Sequence, residues 1–205
     1  MDGVIVDSEP HHERAFMEVV HELGYGQRHG VCWADWVGRS DHDLWMDFIA
    51  RHQPAQPIEQ LLKLKRERVM EILRREEPIF AGLTELVDAL ARKCKLGLAS
   101  GSERPVVEAV LSLQDLRRFF AATVTATEVK RGKPNPEIFL RTADLLGVSP
   151  ADCWVIEDSK PSIAAALAAN MRVIGITNSY PAEELRAATV VVSDYASIAH
   201  RLLPR

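Results

Sequence analysis

Cysteine is scarce in this chain of 205 residues: Cys32, Cys94 and Cys153 stand far apart, with no C-x-x-C pair among them. That excludes a disulfide-stapled scaffold and a thiolate zinc site, and leaves reduced, partly buried thiols of a cytoplasmic protein as the expectation. Long apolar runs are also missing; none approaches the roughly 20 residues that cross a bilayer. No secretory leader is expected, because Asp2 and Asp7 stand where a basic and then apolar stretch would be needed. Charge of one sign is lacking too. The 25 Lys and Arg nearly balance the 29 Asp and Glu, for a net charge of −4. Nothing in that balance favours nucleic acid or an anionic membrane as a partner. What remains is 47% hydrophobic and 26% charged residues, an ordinary globular composition. The length suits one core with a small accessory domain.

Two kinds of pattern follow one another. Between 9 and 80 only helical spacing occurs. Phe16, Val19, Val20 and Leu23 mark a helix over 11–23 that stops at Gly24. Ser40 is placed to cap a helix with Leu44, Trp45, Phe48 and Ile49 inside. Pro57 opens a long helix with Leu61, Val69, Ile72 and Leu73 on its inner face. Its Lys63, Lys65, Arg66 and Arg68 read as a solvated basic face, with Glu67 and Glu71 as pairing charges. Trp33, Trp36 and Trp45 either pack inside this region or line a pocket or interface.

From Leu83 onward, strands over 95–100, 122–125, 153–157, 172–176 and 189–192 alternate with amphipathic helices. That order predicts an α/β fold with a Rossmann-like, doubly wound parallel sheet. The expected organisation is an α/β core of residues 1–8 and 81–205, interrupted by a helical insertion over 9–80. Ligands in such sheets bind beyond the carboxyl ends of the strands. There the chain places Asp2-Gly3, Ser100-Gly101-Ser102, Gly132-Lys133-Pro134 and Glu157-Asp158-Ser159. Adjacent carboxylates with oxygen-only partners suit a hard cation such as Mg²⁺. A hydroxyl and open amides at a helix start suit a phosphate, and a lysine neutralises charge on a transferring group.

In order and spacing, four segments resemble the signature motifs of the haloacid dehalogenase (HAD) superfamily. They are DGVIVDSE from Asp2, LASGS from Leu98, GKPNP from Gly132 and VIEDS from Val155. The insertion is similar to the α-helical cap of its β-phosphoglucomutase-like branch. The resemblance implies a Mg²⁺-dependent phosphatase acting on a small phosphorylated metabolite such as a sugar phosphate. Asp2 would be general acid and base, with its backbone carbonyl on the metal. Ser100 and Gly101, followed by Ser102, would hold the phosphoryl oxygens. Lys133 would bridge phosphoryl group and nucleophile. Asp158 would bind Mg²⁺, and Glu157 would support its waters. His12 and Arg39 would be substrate contacts from the cap. The expected state is a monomer or weak dimer.

The same resemblance implies an aspartate nucleophile two positions before Asp2, at the end of an apolar strand, and both fall ahead of Met1. The expectation is that Met1 is an internal methionine or that the chain has been shortened, its first central strand missing. As written it would be inactive or strongly impaired. Where the mutase branch carries two basic residues for a second phosphate, this chain has Asp41 and Glu103. That favours hydrolysis over phosphomutase activity. A catalytically inactive HAD-fold binding protein is a further alternative.

Overall fold

A computed structural model describes residues 1–36 and 40–203. The chain divides into two compact units, Met1–Asp7 with Pro78–Arg205, and Ser8–Glu77.

The second unit is helical. It comprises α1 (Glu9–Glu22), α2 (Asp41–His52) and α3 (Ile58–Glu76), with short 3-10 turns at Gly26–His29 and Trp33–Asp35. Helix α1 buries Ala15, Phe16, Val19 and Val20, the four-residue repeat of one helix face. Ser40 caps α2 as expected, its Oγ accepting from Asp43 N at 3.1 Å. Helix α3 begins after Pro57 and ends at Glu77, which takes a left-handed conformation at φ 44°. The rings of Phe16, Trp45 and Phe48 meet at 4.9–6.1 Å between centroids and are wholly buried. Burying each phenylalanine contributes about 1.5–3 kcal/mol. Of the three tryptophans, Trp36 and Trp45 are buried and Trp33 is half-buried.

The basic face expected on α3 requires one correction. Lys65 is only 1% exposed. It occupies the buried stripe with Leu61 and Val69, four residues to either side. Its Nζ pairs with Asp41 Oδ1, lies 3.4 Å from His12 Nδ1 and sits 5.6 Å from the centre of the Trp33 ring. Helical geometry dictates this, because a residue midway between two core positions eight apart cannot face outward.

The first unit is the α/β unit. Its helices are α4 (Leu83–Ala91), α5 (Arg104–Ser112), α6 (Glu137–Leu146), α7 (Lys160–Ala168), α8 (Ala182–Leu185) and α9 (Tyr195–Leu202). Its strands are β1 (Leu96–Ala99), β2 (Phe120–Val124), β3 (Trp154–Glu157), β4 (Arg172–Ile176) and β5 (Val190–Val192). Every strand pairing is parallel. Helix α6 lies against β1 and β2, α7 against β3 and β4, and α8 against β4 and β5. Asn170 ends the α7 segment in the left-handed region at φ 61°, as its position predicts.

The single expected sheet is resolved as two, β1-β2 and β3-β4-β5. Among the described residues no hydrogen-bonded ladder joins β1 to β3. The apolar run near the start does not extend as a strand. The amides of Val4, Ile5 and Val6 all donate to the Met1 carbonyl, at 2.7–3.3 Å, and close a tight turn. Met1, Val4, Ile5 and Val6 are buried within it. Val6 then bridges Ile79 in antiparallel fashion, and Asp7 N donates to Pro78 O at 2.9 Å.

Candidate active site

The residues that follow β1, β3 and β4 meet the first turn and Lys133 at one rim, linked by hydrogen bonds and a close backbone approach. The turn after β1 is fixed by Ser100 N donating to Val124 O at 3.0 Å and by Ser102 N donating to Ser100 Oγ at 3.1 Å. Ser100 is 1% exposed. Its oxygen is occupied as an acceptor, so the hydroxyl proton is directed away from that amide. A methyl group at Gly101 would meet nothing within 4 Å, so the space over this turn is open. Ser102 Oγ donates to Asp2 Oδ2 at 2.7 Å. Ser102, expected to hold a phosphate, thus orients the Asp2 carboxylate.

Asp2 leads directly to the acid pair. Gly3 stands at φ +69°, and a Cβ there would lie 1.9 Å from Asp158 Oδ2 and 2.5 Å from Ser179 Oγ. Only glycine permits this approach of backbone to carboxylate. Asp158 hydrogen-bonds with Ser179. Burial pushes its carboxyl above the usual carboxylate range; the Ser179 bond opposes this and the charge of Glu157 adds to it. Glu157 is 4% exposed, and its Oε1 accepts from Lys133 Nζ at 2.5 Å. Burial alone would raise its carboxyl, but the Lys133 ammonium, the N-terminal ammonium and the Lys133 hydrogen bond outweigh that and hold Glu157 below its ordinary value.

The contacts therefore run Ser100, Ser102, Asp2, Gly3, Asp158, Glu157, Lys133, and all of these sequence-derived candidates come together. His12 belongs to the helical unit, beside Lys65. Arg39 lies outside the described residues. Among the described residues no three His, Cys, Asp or Glu side chains gather to hold a metal. The Asp2 carboxylate meets Ser102 and Glu157 meets Lys133, which leaves the Asp2 backbone carbonyl and Asp158 as the expected ion ligands.

The structure adds residues that the sequence reading passed over. Asn178 and Ser179 follow β4, and the strand-end rule would have pointed to them. Asn178 Nδ2 donates to Gly3 O and to Tyr195 Oη, both at 2.9 Å, and Tyr195 Oη donates to Val4 O at 2.7 Å. Together they pin the turn that carries Asp2. No sequence signal marks Tyr195, which lies on the first turn of α9.

A rim of this composition on a parallel α/β unit defines a class, and the chain belongs to it: the profile of haloacid dehalogenase-like hydrolases matches residues 1–170. Its relatives narrow the comparison. The chain is 34% identical over 179 residues to hexitol phosphatase B of Escherichia coli, covering 85% of this chain and 79% of that protein. It is 32% identical over 180 residues to the fructose-1-phosphate phosphatase YqaB of the same organism, covering 86% and 93%. Among solved structures, a putative β-phosphoglucomutase from Thermotoga maritima superimposes with a TM-score of 0.81 at 25% identity, over 99% of this chain and 97% of that one.

Proposed function

We propose that this protein is a Mg²⁺-dependent phosphatase that hydrolyses a small phosphorylated metabolite, in the class of sugar and hexitol phosphates. The observation that carries the reading is the continuous contact chain from Ser100 to Lys133 through Asp2 and Asp158. The relatives named as hexitol and fructose-1-phosphate phosphatases support the substrate class.

The Ser100 hydroxyl and the Gly101 amide hold the phosphoryl oxygens, and Lys133 balances their charge. Asp2, steadied by Ser102, protonates the oxygen of the leaving alcohol as the P–O ester bond breaks. It then takes a proton from the water that releases inorganic phosphate. The phosphoryl group passes in between through an aspartyl-phosphate, which that water opens. The donor chemistry suits Mg²⁺. Of two adjacent buried carboxylates Glu157 holds Lys133, and Asp158 is held above its ordinary value by burial, a cost that a divalent cation would relieve. Asp158 and the Asp2 carbonyl would hold the ion. When bound it neutralises charge developing on the phosphoryl oxygens.

Hydrolysis is preferred to phosphomutase activity on the identity of the relatives rather than on charge. Asp41 is matched by Lys65, so it does not stand as a lone acid against a second phosphate.

The test uses two proteins. One is the 205-residue chain; the other carries an apolar strand ending in Asp-x fused ahead of Asp2. Both are assayed with a panel of hexitol and sugar phosphates and with β-glucose 1-phosphate. The extended protein is expected to release phosphate with Mg²⁺ and to stop with EDTA. Isomerisation of β-glucose 1-phosphate without phosphate release would instead establish the mutase. Activity indifferent to EDTA would refute the metal.

A further inference from the structure

Between the turn that holds Ser100 and Ser102 and the loop that holds Lys133 lies a set of polar contacts that the proposed chemistry does not use. Arg104 begins α5, two residues after Ser102. Its guanidinium pairs with Glu128 Oε2, donates to Thr123 O at 3.2 Å and reaches Glu108 Oε1 at 3.2 Å. Glu128 Oε2 also accepts from Thr125 N at 2.9 Å and from Thr125 Oγ1 at 2.8 Å, and Thr125 is wholly buried. One carboxylate oxygen thus gathers the end of β2, the start of α5 and the segment that leads to Lys133. A backbone bond, Ala126 N to Ser102 O at 3.3 Å, runs alongside. Beyond Glu128, only four residues separate this knot from Lys133. Their far side is fixed by Glu137, whose carboxylate accepts from Lys130 N at 2.8 Å and Arg131 N at 3.2 Å.

The charge placement is informative. Burial works against the charged form of Glu128, yet the Thr125 bonds and Arg104 overcome it and hold the carboxyl below its ordinary value. Arg104 is shared between strand, helix and loop, with its side chain 38% exposed. An exposed ion pair of two long side chains would be worth little. A carboxylate fixed by three donors, two from Thr125 and one from Arg104, sets a distance.

We propose that Glu128 is a positioning residue: through Arg104 and Thr125 it sets the separation between the Ser100–Ser102 turn and the Lys133 ammonium, so that both engage one phosphoryl group. The inference rests on the phosphatase reading of that site.

The experiment is a double-mutant cycle on the 205-residue protein, with inorganic phosphate and Mg²⁺ as the probe and calorimetry as the readout. Glu128→Gln keeps the shape and the Thr125 bond but removes the charge that holds Arg104. It is expected to weaken phosphate binding about tenfold, the usual scale for a supporting contact behind a binding group. In a Lys133→Ala background the same change is expected to have no further effect, because its route to the phosphate is gone. A generally destabilising substitution would instead add in both backgrounds. Should Glu128→Gln fold poorly, Arg104→Met breaks the same pair, leaves the Thr125 cap intact and enters the same cycle. Phosphate affinity unchanged by either variant, or a loss that persists in the Lys133→Ala background, overturns the positioning role alone. Failure of the unaltered protein to bind phosphate overturns the phosphatase reading with it.

Discussion

Lys65 is an ammonium group in a stripe of leucine and valine, and its cost is met by one carboxylate. Asp41 supplies it from the first turn of α2, with its side chain 42% exposed. The pair is therefore lopsided. Removing the carboxylate leaves a charge stranded in the core, whereas removing the ammonium leaves a carboxylate that water can reach. Asp41→Ala is expected to destabilise the protein by about 3 kcal/mol in urea denaturation, while Lys65→Met stays within about 1 kcal/mol of the parent. Equal losses for both would show that the pair is not desolvated. The same residue shows where a sequence reading stops. Its spacing from Leu61 and Val69 was visible, but a lysine in a basic segment is usually solvated, and only the partner across the fold makes burial tolerable. Ser102 is a parallel case: its position in the turn was legible, and its use on Asp2 rather than on phosphate was not.

At the scale of elements, an ionic cluster ties the first half of α1 to the end of α3. Glu76, the last residue of α3, accepts from Arg14 Nη2 at 2.7 Å, from Arg75 Nη2 at 3.2 Å and lies 3.1 Å from His11 Nε2. The hydrogen bond from Arg14 is the chief reason its carboxyl is held down to about 2. A depressed carboxyl contributes stability above its unfolded value, and that contribution is lost as pH falls through the folded one. The Glu76 contribution is thus expected to fade between the ordinary glutamate value, roughly 4.5, and about 2. Melting temperatures measured across that window should fall less steeply for Glu76→Gln than for the parent. Identical slopes would remove Glu76 from the acid response. Elements of this kind were largely legible beforehand: α1, the Ser40 cap of α2 and the Asn170 stop follow from apolar spacing and capping chemistry. The segment from Met1 to Val6 shows the limit. Its apolar residues carry no pattern that fixes its partners, and the Met1 carbonyl, by accepting three amides, makes it a turn.

For the whole molecule, the telling contact lies within the α/β unit, where its two chain segments meet. Asp7 N donates to Pro78 O at 2.9 Å, so the chain leaves the α/β unit and re-enters it at neighbouring points. Replacing Ser8–Glu77 with about three glycines should therefore close without strain, since loop closure over so short a gap costs little. The shortened protein is expected to keep the far-ultraviolet signature of the α/β unit and a cooperative urea transition, with a smaller m-value in line with its smaller buried surface. Loss of the cooperative transition would mean that the α/β unit does not fold by itself.

The amino-acid sequence alone determined the alternation of strand and helix, the helical insertion, and the four segments at the strand ends, because each depends on local spacing and on chemistry carried within a few residues. Only the tertiary structure decided which groups meet. Glu157 faces Lys133, Asp2 faces Ser102, and Asn178 and Tyr195 brace the first turn, contacts spanning 24 to 191 positions in sequence. The physical reason is that a carboxylate's partner is set by distance and burial in space, and neither is encoded by its neighbours along the chain.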